Sequence, residues 1–294
     1  MRYVVRCSSK DVENIENTES RTMESKFYGV INPVQKEKQY DPDSSPKAWE
    51  HYKIVYGTDN WEEYDFNDIH YFEYIKEKQK YPCSDYCYLD EPVSEYLRLC
   101  CAKKGYSSKE CNGKTYFKAT LRLSGDTDFN FNEKKCKKFR SIFERDLQGK
   151  ELEKALDDLN FCKNTHHTLV NFSLMQVVGN LQKVKSTGRD DGLDRLDTFV
   201  SLLNDYYSKK SELVLEKATH ANKKLLKDFL DAFNGIYDYC NKVYLIEDEK
   251  FVNCIIDAGE KEIKVAKDVQ GYMTLAKAFW HKKEECFKSR YKII

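Results

Sequence analysis

After Pro92 the chain contains no further proline, all the way to Ile294. Proline removes a backbone donor and clashes with the preceding helical turn, so its absence leaves long helices free to run. Apolar residues recurring at three- and four-residue steps say where those helices lie. That spacing predicts helices over 132–146, 150–163, 193–208, 221–240 and 268–290. The third contains LDRLDTFVSLLNDYY, whose Leu193, Leu196, Phe199, Val200, Leu203 and Tyr207 share one face. The fourth would bury Leu225, Leu226, Phe229, Phe233, Ile236 and Cys240, and the last Val269, Tyr272, Met273, Ala276, Trp280 and Phe287.

Strand signals are fewer. Gly113 to Ser124 alternates, with Phe117, Ala119, Leu121 and Leu123 on one side, as a half-exposed strand does. Thr168 to Val178 and Phe251 to Asp257 read as strands or extended core segments, and Tyr3 to Cys7 and Phe27 to Ile31 as short strands. Ahead of Pro92, Ser45 and Pro46 suit the cap and first position of a helix that Gly57 ends. A second helix is predicted over 68–79 and a short one between Pro92 and Gly105. No repeat or Gly/Ser linker divides the chain. The expected fold is α+β, one mainly helical domain over 1–294 with a few short strands and a cysteine-rich elaboration around 81–113.

Composition limits the function classes. Apolar residues make up 40% of the chain and aromatic ones 14%, enough for a packed interior. Lys plus Arg equals Asp plus Glu at 49 each, so nucleic-acid binding would have to rest on a local basic patch and not on overall charge. No run of about 18 apolar residues exists, and no membrane span is expected. The N-terminus lacks the apolar core and cleavage site of a signal peptide, which points to a cytoplasmic protein. Its eleven cysteines then read mostly as small buried hydrophobes.

Four groups of residues carry candidate chemistry. Cys83, Cys87, Cys101 and Cys111 supply four thiols for tetrahedral zinc, but without the C-x2-C knuckle, and with Cys100 and Cys101 on diverging directions of a predicted helix. Buried thiols, with no cofactor, are the simpler reading. His166 and His167 precede Asn171 in a way similar to HNH-type nucleases, yet the spacing supplies no further metal partner. The loop VVGNLQKVKSTGRDDG carries Lys183, Lys185 and Arg189 among three glycines, residue types that cradle phosphate, although it matches neither the Walker pattern nor G-x-G-x-x-G. Asp194, Arg195 and Asp197 crowd the first turn of the following helix. They read as a catalytic constellation with His167 or as an ion pair fixing the helix start. The basic and aromatic residues of the last helix suit a single-stranded nucleic acid or an ordinary half-buried helix.

Three blocks, DPDSSPKAWEHYKIVYG, then HTLVNF leading to DRLDTFVSLLNDYY, then FLDAFNGIYDYCNKVYLIED with the closing helix, resemble an uncharacterised bacterial domain-of-unknown-function family. The blocks span most of the chain in the family's order. The family usually has glycine at the position of Val170, and the Cys83–Cys111 region lies outside its shared core. The resemblance implies a bacterial or phage source and a single continuous domain, and brings no activity with it.

The functional expectation is a binding module for nucleotide or nucleic-acid phosphate through Lys183, Lys185, Arg189 and Arg195. The rival is a protein-interaction module, a regulator or inhibitor in a phage–host setting. A hydrolase using His167 with Asp194 or Asp197 is the third reading. Sequence leaves open whether the protein is an enzyme and what its oligomeric state is.

Overall fold

The computed structural model describes residues 51, 54–56, 86–88, 108–111, 114–118, 123–176, 181–187, 193–218, 223–231 and 233–291. Strands β1 (Tyr86–Tyr88), β2 (Ser108–Cys111) and β3 (Lys114–Lys118) form an antiparallel sheet in the order β1-β3-β2. β4 (Leu123–Thr127) pairs antiparallel with β5 (Phe172–Gln176), Thr127 facing Phe172 and Leu123 facing Gln176. The helices are α1 (Glu133–Asp146), α2 (Gly149–Thr165), α3 (Leu181–Ser186), α4 (Leu196–Lys209), α5 (Leu213–Glu216), α6 (Lys223–Leu230), α7 (Ile236–Tyr244), α8 (Glu249–Gly259) and α9 (Ala266–Tyr291). The fold is mainly helical α+β. No helix among the described residues is long and apolar enough to cross a membrane.

Each helix has a local cause. Asn132 caps α1, its side chain accepting from the Lys135 N–H, and Phe139, Ile142 and Phe143 form the buried face beyond it. α9 buries Val269, Tyr272, Met273, Ala276, Trp280 and Phe287, as its spacing predicts. Phe129, Phe131 and Phe139 pack their rings 5.4, 5.4 and 5.9 Å from Tyr272. Such pairs add about 0.5–1.5 kcal/mol each beyond the area they bury. α4 is buried further round than its apolar face suggests: Asp197, Thr198 and Ser201 are buried beside Phe199, Val200 and Leu203, while Tyr207 is half-buried.

Three expectations are corrected. Phe251–Asp257 is not a strand but part of α8, started by Asp248, whose carboxylate accepts from the Phe251 N–H. A short apolar run fits either element, and the burial at Phe251, Val252, Ile255, Ile256 and Gly259 is helical in period. The helix expected over 221–240 is two, because Gly235 has φ +135°, a conformation that L side chains rarely adopt, and it separates α6 from α7. Thr168–Val178 is strand only over Phe172–Gln176; Leu169–Asn171 makes a 3₁₀ turn before it. The strands at 3–7 and 27–31, the helix at 68–79, the short helix after Pro92 and most of 45–57 lie outside the described residues. Cys136, Cys162 and Cys240 are buried free thiols and Cys286 a half-buried one, whereas Cys254 is disulfide-bonded and departs from the thiol reading.

Candidate functional site

The polar residues around 183–197 converge inside the protein. Lys185, at the end of α3, has 1% of its side chain exposed. Its Nζ lies 2.9 Å from Asp126 Oδ2, 2.5 Å from the Thr127 carbonyl and 3.3 Å from Asp194 Oδ1. Asn130 donates its amide to Asp194 Oδ2 at 2.7 Å. Lys135, on the inner side of α1, donates to the Asp194 carbonyl at 2.9 Å and to the Tyr272 hydroxyl at 3.4 Å. Asp194 is thus pinned from three elements, in a left-handed backbone conformation with φ +47°. Aspartate tolerates that region better than most residues.

Arg195 turns inward. Its guanidinium grips Asp197 through two bonds, 3.1 and 2.6 Å, and donates to the Lys261 and Ala258 carbonyls at 2.8 and 3.2 Å. The Tyr272 ring lies between the two groups, 5.2 Å from Lys135 Nζ and 5.8 Å from the Arg195 guanidinium carbon. Residues that stand out in the sequence do meet, Lys185 with Asp194 and Arg195 with Asp197, but they meet each other. Lys185 and Arg195, expected to bind ligand, are both held inside by carboxylates and carbonyls. Lys183 is exposed on α3, and Arg189 lies outside the described residues.

The electrostatics follow from burial and charge. Burial works against the Asp194 carboxylate, but Lys185, the Asn130 amide and Lys135 outweigh it and hold the carboxyl below its ordinary range. Burial pushes the Asp126 carboxyl up, against the pull of Lys185. Burial alone would lower Lys185, yet the charges of Asp126 and Asp194 keep it well above an ordinary lysine. Lys135 meets the opposite balance: burial dominates and brings it down from 10.5 to about 7. Between those values the unfolded chain holds more protons than the native one, so this group makes stability rise with pH across that window. The urea midpoint of the protein minus that of Lys135→Met is expected to grow from about pH 7 to about pH 9. A difference that stays flat would exclude a depressed lysine here.

His166 accepts from the Phe131 N–H at 3.2 Å and is driven down to about 3, chiefly by burial and then by the adjacent His167. It is neutral at ordinary pH. The His167 ring lies tilted, 4.3 Å from the His166 ring and 6.2 Å from Phe172. Asn171 makes four hydrogen bonds: its Oδ1 accepts from the Phe129 N–H and the Trp280 indole, and its Nδ2 donates to the Phe129 and His166 carbonyls. That satisfies a buried amide completely and makes Asn171 a joint between β4, β5 and α9. Of the proposed zinc ligands, Cys87 falls in β1 and Cys111 in β2, and Cys83 and Cys101 lie outside the described residues. Among the described residues no group of three or more His, Cys, Asp or Glu side chains is disposed to hold a metal ion.

Five basic residues of α9 are also engaged. Lys277 pairs with Asp158, Lys282 with Asp248 and Lys288 with Glu284, each at 2.7 Å, Lys283 is buried against Asp128, and Arg290 donates to the Val55 carbonyl. The exposed cations gather elsewhere. In the first half of α1, Lys134, Lys137, Lys138 and Arg140 all face solvent, and Lys163 is exposed in the last turn of the antiparallel α2. Two carboxylates share the α1 surface with them, Glu144 one turn beyond Arg140 and Glu133, which pairs with Lys137 at 3.0 Å. The Glu133 carboxyl is held below its ordinary range first by the hydrogen bond and charge of Lys137, then by the charge of Lys163. Burial raises the Cys136 thiol, against the charges of Lys163, Lys135 and Arg140. The sequence signal was present as the run EKKCKKFR, and the balance of charge over the whole chain hid it.

No family model, curated protein or solved structure matches this chain.

Proposed function

We propose that the protein is a binding module for the phosphates of a nucleic acid, and that the contact is the basic face of α1 and α2. The supporting observation is the cluster Lys134, Lys137, Lys138, Arg140 and Lys163, exposed on neighbouring helices of a chain whose net charge is zero. Polyphosphate backbones bind such faces by releasing counterions, which makes affinity fall steeply with salt. This moves the phosphate reading away from the loop at 183–189, where Lys185 has no freedom to leave its carboxylates.

Binding measured by mobility shift is expected to weaken about a hundredfold between about 50 and about 200 mM salt, as four or so phosphate contacts require. The triple variant Lys134→Gln, Lys138→Gln, Arg140→Gln should lose most of the affinity and reduce the log–log salt slope by roughly three, at about 0.9 per phosphate contact. All three side chains are exposed, so the fold should survive, and an unchanged melting curve checks it. Lys183→Gln is expected to bind like the unmodified protein. A triple variant that binds normally, or a Lys183→Gln variant that does not, would return the site to α3.

A further inference from the structure

We infer that the ligand of the α1–α2 face is double-stranded nucleic acid, gripped through its backbone without sequence preference; this rests on the proposed phosphate-binding reading. The face carries two rows of polar groups. One is spread over the outer surface of α1, where Lys134 and Lys138 lie one turn apart, as do Lys137 and Arg140. The other lies on the last turns of α2, where Asn160, Lys163 and Asn164 are exposed at helical spacing, one turn beyond the exposed carboxylate of Asp157. Packed helices sit about 8–10 Å apart. A single strand offers one row of phosphates, whereas a duplex offers two, across grooves about 6 and about 12 Å wide. Lysine, arginine and asparagine side chains are the usual partners of those phosphates.

What the two helices withhold points the same way. Every residue of α1 and α2 is described, and neither helix exposes an aromatic ring: Phe139 and Phe143 are buried, and Phe161 is half-buried with Lys277 Nζ 5.5 Å from its ring centre. Single-strand binders stack bases on exposed rings, and this face has none to offer. It also lacks the exposed large apolar side chains with which a basic helix enters a lipid surface; the exposed large hydrophobics of the described residues are Leu213, Tyr237 and Val265, all outside α1 and α2.

The test is fluorescence anisotropy on the full chain with a short mixed-sequence duplex, each of its separate strands, a second duplex of unrelated sequence, and vesicles of phosphatidylcholine with phosphatidylserine. The duplex should bind at least about tenfold tighter than either strand, with the two duplexes within about twofold of each other. The variant Asn160→Ala, Lys163→Gln, Asn164→Ala should lower duplex affinity by a larger factor than strand affinity and so bring the two together. Strands that bind as tightly as the duplex overturn this inference and leave the phosphate reading standing. Vesicle binding at the duplex's affinity and salt dependence overturns it in favour of an anionic membrane surface. No binding to any nucleic acid overturns both.

Discussion

Lys283→Met is expected to lower the unfolding free energy by about 3–5 kcal/mol, the cost of leaving one member of a buried ion pair without its partner. Lys283 and Asp128 each have 1% of their side chains exposed. The ammonium is held by Asp128, by the Phe172 carbonyl at 2.5 Å and by the Ser173 hydroxyl at 2.6 Å, so it joins α9 to the start of β5 and to the residue after β4. Burial pushes the lysine's pKa down and Asp128 pulls against it. Methionine fills much the same volume but removes the charge, and Asp128 then keeps Ser173 as a donor and loses its counter-ion. Domains are commonly stable by about 5–15 kcal/mol in total, so the urea midpoint should fall by a large fraction. The double variant Asp128→Asn, Lys283→Met removes both charges and is expected to recover most of the loss, because the desolvation of two ions is then no longer paid. A single variant within about 1 kcal/mol of the unmodified protein would mean the pair is not buried as described.

The same network shows how far a sequence carries. The helices were legible because their apolar residues repeat at a helical step over long, proline-free stretches. Thus α9 buries the residues its spacing names. Where the apolar run is short, as in FVNCII, period cannot choose between strand and helix, and the capping Asp248 was the cue that decided it. Gly235 was likewise visible inside the expected helix over 221–240, but only the backbone conformation shows that it breaks it. The polar core was half-legible. Residues 183–197 look chemically rich as a string, yet Asp126, Lys135 and Tyr272, which hold and flank them, lie far away in the chain and are brought in by folding alone. Direction was missing too: a lysine that reaches for a ligand and one that reaches for Asp126 and Asp194 are the same letter. The basic face on α1 failed for a different reason. Its charges are local, and counting 49 cations against 49 anions averages them away.

The opposite behaviour of two helical glycines is the second large effect. Gly259→Ala is expected to destabilise by about 1–3 kcal/mol, the range for forcing extra volume into a packed contact. A Cβ at Gly259 would stand 2.1 Å from the Asp197 carbonyl oxygen, 2.6 Å from its carbon and 2.9 Å from Ser201 Cβ. Two of those atoms are backbone of the first turn of α4, and neither can rotate aside. Alanine improves helix propensity by about 1 kcal/mol over glycine, but the clash wins because α4 and α8 must separate along their contact to relieve it. The strain would also fall on Asp197, which Arg195 grips while bonding to the Ala258 carbonyl one residue before Gly259. Gly271, near the start of α9, is the control: it is exposed, and nothing lies within 4 Å of a Cβ built there. Gly271→Ala therefore keeps the propensity gain without the clash and should stabilise by about 0.5–1 kcal/mol. Paired urea titrations read both changes as midpoint shifts of opposite sign. A Gly259→Ala shift of the same sign as that of Gly271→Ala would show that α4 and α8 do not approach as closely as Gly259 allows.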